Sequence, residues 1–512
     1  MSLVILKFHF IQKQGGNRMG ARTGKEYIEG IKERNTEVWI HGEKVNDVTI
    51  HPAFKNVVES VAGLYDLQHE KPEKMLYTSP TSGKKVGLSF IAPKTKEDLF
   101  KRREMHTEWA TFSGGMMGRS PDYLNTSIMA FGTASQFFAQ EGGGSDQFAK
   151  NAADYYEYAR ENDISLTHTL IHPQVNRSML TQAEQKDPFL SARITKKTSD
   201  GIIVNGCRLL ATLGGITDEL VVFPSTINRT PGTTDDPFAF AFAIPNNTKG
   251  LKFLSRESFD YGKSKWDHPL GARFDESDAI ISFEDVFVPW ERVFVSESTD
   301  ICNRTYTETN AVIHMTHQVI AKNVVKTEFI LGVVISMMEA IGIDKFMHVK
   351  EKASEIMVIL EVMRSHLFKS EHNAKIDQYG NMTPDFEPLN AARNWFPKMY
   401  QRMNEIIKIL GASGLMALPT EADFSNTDVG PLVHRYTQGA NINGEEKVQL
   451  FRLAWDISIS AFGNRQALYE YYFFGDPVRM SNAYYDGFDK QPYKDMVTNF
   501  LNKTKKEAGI VF

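Results

Sequence analysis

The chain has 512 residues, with 58 lysines plus arginines against 63 aspartates plus glutamates and a formal net charge of -5; with no basic stripe and no long run of one sign, neither nucleic acid nor a membrane surface is an expected partner. That length is too great for one simple core and implies two or three packed regions able to enclose a pocket for a small molecule. Cys207 and Cys302 are the only cysteines, too few for a disulfide framework or an all-cysteine zinc or iron–sulfur site, so no metal is expected and a reducing cytoplasm is the default location.

The opening SLVILKFHFIQ is apolar but short, is interrupted by Lys7 and His9, and lacks a small-residue cleavage site, so it does not read as a signal peptide. Residues 1–22 are expected to be a leader outside the fold. A Gly15-Gly16 pair just before Met19 could be encoded by a ribosome-binding site, which would make residues 1–18 translated upstream sequence. From 23 to 164 the pattern is helical: Thr23 caps TGKEYIEGIKE, and NAADYYEYARE carries apolar positions at helical spacing. The joints are glycine-rich, at Gly114-Gly115 and at Gly142-Gly143-Gly144, without the strand, G-x-G-x-x-G and helix context of a dinucleotide fold. Within this region GRSPDY (118–123) reads as a helix start, with Ser120 as N-cap and Pro121 at the first helical position. Arg119 and Tyr123 then flank unpaired N–H groups and a positive dipole end, a setting that suits an oxyanion such as a phenolate. The bland alternative pairs Arg119 with a carboxylate and leaves Tyr123 in the core.

Between 165 and 300 the signal changes to strands and turns, in GIIVNGCRLLATL, ELVVFPSTI, FAFAFAI and AIISFEDVFV. Phe238, Phe240, Phe242 and Ile244 alternate with alanines, giving one aromatic face and one small enough for close packing. LTHTLIHPQVNR (166–177) places His168 and His172 four apart, as zinc ligands on a helix would be. Pro173 and the β-branched Thr167, Thr169 and Ile171 argue instead for an extended segment. NRTPGTTDDP (228–237) has the composition of a mobile lid or of a solvated hairpin tip.

From 301 to 512 helices return, in four long, broadly apolar stretches at 317–342, 351–372, 394–414 and 445–473, which suggest a bundle. Helices apolar on more than one face bury the second against another subunit, so a homo-oligomer is expected. The longest apolar run, 329–338, is too short to span a bilayer.

Helices, a small β domain and a helical bundle, in that order, resemble the acyl-CoA dehydrogenase-like flavoproteins: an α+β multidomain fold with an N-terminal helical domain, a middle β-barrel domain and a C-terminal bundle. GRSPDY, LTHTLIHPQVNR, DHPLGARFDESDAIISFEDVFVPWERVFV (267–295) and AFGNRQALYE (461–470) together resemble the oxygenase components of the two-component, FAD-dependent 4-hydroxyphenylacetate 3-monooxygenase family. The resemblance implies reduced FAD delivered by a separate NAD(P)H:flavin reductase, O2 as co-substrate, and hydroxylation of a phenol ortho to its hydroxyl. It implies that Arg119, Tyr123 and His168 surround that hydroxyl, with Ser120, Pro121 and Asp122 beside them. It puts flavin contacts on His168, Thr169, Leu170, Gln174, Val175, Asn176, Arg177, Thr212, Gly463, Asn464, Arg465 and Gln466, and the substrate carboxylate on Ser225 and Thr226. Read without the family, Arg465 suits a surface salt bridge equally well. Phenol or chlorophenol monooxygenases and CoA-thioester dehydrogenases or dehydratases share the scaffold and stay open at this point.

Overall fold

The computed structural model describes residues 20–176, 187, 189–224, 236–260 and 262–507. Nineteen residues of the expected leader fall outside it, while its last three are built into the fold. The Gly20 N–H donates to the Glu161 carbonyl at 2.7 Å, and the buried Arg22 guanidinium meets buried Asp218 at 2.8 Å.

Five helices dominate the N-terminal region: α1 Gly24–Arg34, α2 Lys55–Glu70, α3 Lys96–Phe112, α4 Pro121–Thr133 and α5 Asp146–Asn162. Thr23 caps α1 as expected, and Glu26 completes a capping box. Two strands in the same region, β1 Val38–Ile40 and β2 Glu43–Val45, were not expected. At three residues each they are too short to show alternation, and the partner that fixes β1 lies more than two hundred residues away.

The middle region supplies β3 Leu166–Thr169, β4 Arg193–Lys197, β5 Gly201–Thr212, β6 Glu219–Val222, β7 Phe240–Pro245, β8 Leu251–Ser255, β9 Asp278–Pro289 and β10 Val293–Ser296. They form a six-stranded sheet in the order β2-β1-β8-β9-β5-β4 and a four-stranded sheet in the order β10-β7-β6-β3. The pairs β1–β8 and β3–β6 are parallel and the rest antiparallel. The expected β-barrel is therefore corrected to two open sheets. Strand β7 shows why: Phe240, Phe242 and Ile244 enter one core with the six-stranded sheet, while Ala239, Ala241 and Ala243 enter another with α4 and α5. A strand buried on both faces forms an inner layer, whereas a barrel wall has an inside and an outside. The small alanine face lets the N-terminal helices come close, as its sequence foretold.

After α6 Thr299–Glu308 come α7 Ala311–Ala340, α8 Met347–His372, α9 Phe386–Gly411, α10 Gly444–Ser458, α11 Ala461–Tyr472, α12 Pro477–Gly487 and α13 Gln491–Glu507. The 445–473 stretch, read as one helix from sequence, is two. The chain breaks at Ile459, and the Ser460 hydroxyl accepts the Gly463 N–H at 3.0 Å to start α11 afresh. Helix α7 runs through the interior, with His314, His317, Lys322 and Lys326 all buried. The turn after α3 is pressed onto it. Gly114 and Gly115 have φ of +60° and +74°, and a Cβ on Gly115 would sit 2.7 Å from Lys326 Cβ. That close approach delivers the 118–123 segment to the side of α7 that faces α11. Among the described residues no helix is long and apolar enough to cross a membrane.

Candidate functional site

Helix α4 begins as its sequence requires, with Ser120 at the N-cap and Pro121 at the first position. The Ser120 hydroxyl, however, caps no backbone N–H. It donates to Asp122 Oδ1 at 2.6 Å, while Asp122 Oδ2 accepts from His106 Nδ1 at 2.7 Å and from Gln318 at 3.0 Å. Asp122 is wholly buried, so it and Ser120 tie the turn to α3 and α7.

Arg119 stands just ahead of this cap. Its backbone N–H donates to Glu276 Oε1 at 2.6 Å, and Nη1 donates to the Tyr469 hydroxyl at 2.9 Å and the Gly118 carbonyl at 3.2 Å. The guanidinium lies 4.6 Å from the centre of the Tyr123 ring, 4.7 Å from Phe473 and 5.4 Å from Tyr469. Among the described residues no carboxylate forms an ion pair with this side chain, and its buried Nε has no hydrogen-bond partner. The carboxylate pairing left open by the sequence is thus absent there. Burial opposes its charge, but Tyr469, Tyr123 and Glu276 outweigh burial and the guanidinium stays cationic.

Tyr123 joins Arg119 to the third residue. Its ring centre is 6.0 Å from that of His168, which strand β3 presents from the four-stranded sheet. Burial pushes the Tyr123 phenol up to about 12 against the pull of Arg119, so it remains a hydrogen-bond donor. Burial, followed by the nearby Arg119 charge, pushes the His168 imidazole well below its ordinary value. A buried, neutral imidazole whose Nδ1 has no partner among the described residues is thereby placed where it can accept a proton. Arg119 and His168 share the Tyr123 ring, and the Arg119 charge acts on His168. Phe223, 5.1 Å from His168, leads to Phe131 and Tyr306 and continues an aromatic wall. The arrangement offers one cation, one phenol donor, one neutral base and flat apolar surfaces, which together suit an aromatic alcohol.

On the same strand as His168 the Thr169 hydroxyl donates to the Leu209 carbonyl at 2.7 Å, and at the end of β5 that of Thr212 donates to Asp278 at 2.8 Å. Leu170 is half-buried, and Gln174, Val175 and Asn176 are exposed. Arg177, Ser225, Thr226 and the lid residues 228–235 lie outside the described residues. Residues 463–466 form the first turns of α11, where the sequence reading had a turn open to a ligand. Gly463 is needed by its own chain, because a Cβ there would be 2.5 Å from the Ile457 carbonyl. The Asn464 side-chain amide donates to the Ile459 carbonyl at 2.6 Å, and Gln466 donates to Met116 O at 2.7 Å. Arg465 is neither at the surface nor free: it reaches Glu276 at 3.0 Å and both oxygens of Asp278 at 2.8 and 3.1 Å. Asp278 is held below the ordinary carboxylate range because Arg465 and Arg256 outweigh its burial. Glu276 thereby links the Arg119 backbone to α11. Sequence reasoning missed Glu276, Tyr469, Phe473 and Phe223. The run from Tyr469 through Phe474 was the available signal for two of them.

Models of the 4-hydroxyphenylacetate 3-hydroxylase N-terminal and C-terminal families match residues 23–295 and 302–502. The chain is 62% identical to the 4-hydroxyphenylacetate 3-monooxygenase oxygenase component of Geobacillus sp. (strain PA-9), over 95% of this chain and 98% of that one. It is 45% identical to the oxygenase component from Thermus thermophilus, again over 95% and 98%. Among solved structures, a crystal structure of the oxygenase component of 4-hydroxyphenylacetate 3-monooxygenase complexed with FAD and 4-hydroxyphenylacetate superposes with a TM-score of 0.90 at 45% identity, covering 95% of this chain and 99% of that one. An archaeal 4-hydroxybutyryl-CoA dehydratase, at 20% identity and a TM-score of 0.83 over 96% of each chain, shares the fold alone.

Proposed function

This chain belongs to the 4-hydroxyphenylacetate 3-hydroxylase family, and from that premise we propose how its own residues perform the family's reaction. It is a flavin-dependent monooxygenase, the oxygenase component of a two-component 4-hydroxyphenylacetate 3-monooxygenase. It converts 4-hydroxyphenylacetate into 3,4-dihydroxyphenylacetate with reduced FAD from a separate reductase. One atom of O2 enters the ring beside the phenol, the other leaves as water, and reduced FAD gives up two electrons.

The observation that carries the mechanism is that Arg119 and His168 both lie beside the Tyr123 ring, at 4.6 and 6.0 Å from its centre. An electrophilic oxygen attacks an electron-rich ring, and a phenolate donates far better than a phenol of ordinary pKa about 10. Arg119, unpaired with any carboxylate among the described residues, supplies the charge that holds the phenolate. Tyr123 donates a hydrogen bond to the same oxygen. His168, neutral and with Nδ1 free of partners among the described residues, takes the phenol proton, and the anion left behind offsets the burial that otherwise disfavours imidazolium. Reduced FAD, when bound, would supply the two electrons that activate O2 for transfer of one of its atoms. The residues present would accommodate a flavin: the strand that carries His168 lies against the Thr212 end of β5, where the Thr167 hydroxyl donates to the Thr212 carbonyl at 2.7 Å, and the exposed Gln174, Val175 and Asn176 continue the same segment. We place the flavin edge on His168, Thr169, Leu170 and Thr212, with Gln174–Arg177 toward its phosphates. Ser225 and Thr226 take the substrate carboxylate. The carboxylate engagement of Arg465 supports a role in holding the site's walls more than a flavin contact.

Helix α8 exposes Met357, Val358 and Phe368, while α13 exposes Tyr493, Met496, Val497, Phe500 and Leu501, and α12 buries no residue at all. These apolar surfaces support assembly with further copies, which we take as a homotetramer acting in the cytoplasm. The test of function supplies purified chain with reduced FAD, O2 and 4-hydroxyphenylacetate. The catechol product is expected, and flavin reoxidation that yields only hydrogen peroxide contradicts the assignment.

A further inference from the structure

Tyr469, on α11, is the shared neighbour of three cations. The Arg119, Arg465 and Lys322 charges lie 5.4, 5.3 and 5.1 Å from its ring centre. Its hydroxyl accepts from Arg119 Nη1 at 2.9 Å and donates toward the Gly118 carbonyl at 3.4 Å. The ring can lie there only because residue 118 is glycine, since a Cβ at Gly118 would sit 2.5 Å from Tyr469 Cζ and 2.6 Å from its hydroxyl.

The charges around this phenol do not cancel. Arg465 is used by Glu276 and Asp278. Behind the ring, Lys322 and Lys326 share a single carboxylate oxygen, Glu470 Oε1, at 2.8 and 2.5 Å, and all three side chains are buried. Two ammonium groups against one carboxylate leave one surplus positive charge, which the second carboxylate on Arg465 offsets, so the net positive charge of the whole group is that of Arg119. Burial pulls Lys326 down to about 8, and the two lysines overcome burial to hold Glu470 at about 2. Arg119 adds a guanidinium that no described carboxylate pairs with. Buried positive charge of this kind is tolerated when polarisable aromatic faces surround it and is stabilised most by an arriving anion.

We propose that Tyr469 is a positioning residue of the hydroxylation site, holding Arg119 through a neutral hydrogen bond that fixes the guanidinium yet leaves its charge available to the substrate phenolate. A carboxylate at this place would orient Arg119 equally well but would neutralise it. A phenol does so without quenching, provided it stays protonated, and burial drives the Tyr469 phenol upward from its ordinary value despite the cations. This inference rests on Arg119 being the residue that receives the phenolate.

The test measures the dissociation constant of 4-hydroxyphenylacetate against pH in the enzyme loaded with oxidised FAD, for the parent, Tyr469→Phe and Arg119→Lys. The phenylalanine variant removes one hydroxyl and keeps the ring. Loss of one hydrogen bond to the guanidinium is expected to weaken phenolate binding by about threefold to tenfold and to move the break in the pH profile upward by about half a unit to one unit. Affinity below the break and FAD affinity, read by flavin fluorescence, are expected to hold. A uniform loss at every pH would show a merely structural role and overturn the proposal. An unmoved break in Tyr469→Phe would also overturn it, provided Arg119→Lys moves its own. If neither variant moves the break, the assignment of Arg119 fails, and the proposal with it.

Discussion

Replacing Arg465 with alanine separates a residue that holds the site's walls from one that holds the flavin. Its three nitrogens are all engaged, with Glu276 at 3.0 Å and with Asp278 at 2.8 and 3.1 Å, and its side chain is nearly buried. Removing it leaves two carboxylates without their common partner. Breaking a buried pair on one side is worth about 3–5 kcal/mol, and the Arg256 contact to Asp278 at 3.1 Å keeps the expected loss near the lower end. Because Glu276 also accepts the Arg119 N–H and Asp278 accepts the Thr212 hydroxyl, the phenol-binding loop loosens with it. Denaturant unfolding of flavin-free Arg465→Ala should show about 3 kcal/mol of lost stability, and Arg465→Lys should recover less than half, since an ammonium cannot span both carboxylates. If the flavin-free protein were unchanged within about 0.5 kcal/mol while FAD affinity collapsed, the reasoning would be wrong and the arginine would belong to the cofactor.

Acid should destabilise the ligand-free chain steeply. His106, His168, His314 and His317 are buried and held below the ordinary histidine value, so the unfolded chain binds their protons first. Their contribution is full above about pH 6.5 and is lost as pH falls through the depressed values. Glu371, pushed up to about 7 by burial against the pull of Arg103 and Arg102, works in the opposite direction. The depressed histidines outnumber the one raised carboxylate, so stability should fall as pH drops below about 6.5, and His314→Gln should make that fall shallower; a flat profile between pH 7 and 5 would contradict the burial of these rings. Gly115→Ala, which meets both a positive φ and α7 at 2.7 Å, should cost about 1–3 kcal/mol and weaken 4-hydroxyphenylacetate binding by releasing the Arg119 loop. Unchanged melting and binding would refute the close-approach account.

The parts of the fold legible in the sequence were those specified locally. Thr23 as a cap and the Phe/Ala alternation of β7 each carry their own reason within a few residues and stand in the structure as read; Ser120 and Pro121 start α4 as read, but the Ser120 hydroxyl turns to Asp122 and caps no backbone N–H. The illegible parts depend on distant partners. Strand β1 exists because β8, more than two hundred residues away, pairs with it. The site divides the same way. Arg119, Tyr123 and His168 could be picked out as chemistry-bearing residues, and they converge. That Asp122 turns inward to His106, that Arg465 is consumed by Glu276 and Asp278, and that Gly118 is small for the sake of Tyr469 are facts of packing between segments up to 350 residues apart. No local pattern encodes them.

The central claim is that Arg119, Tyr123 and His168 hold the substrate as its phenolate. It is tested most directly by 13C NMR of 4-hydroxyphenylacetate labelled at the hydroxyl-bearing carbon, bound to the FAD-loaded enzyme at neutral pH. The account predicts the shift of an ionised phenol, reverting to that of the neutral form in Arg119→Ala. A bound substrate that remains neutral until about pH 10, the ordinary phenol value, would contradict it.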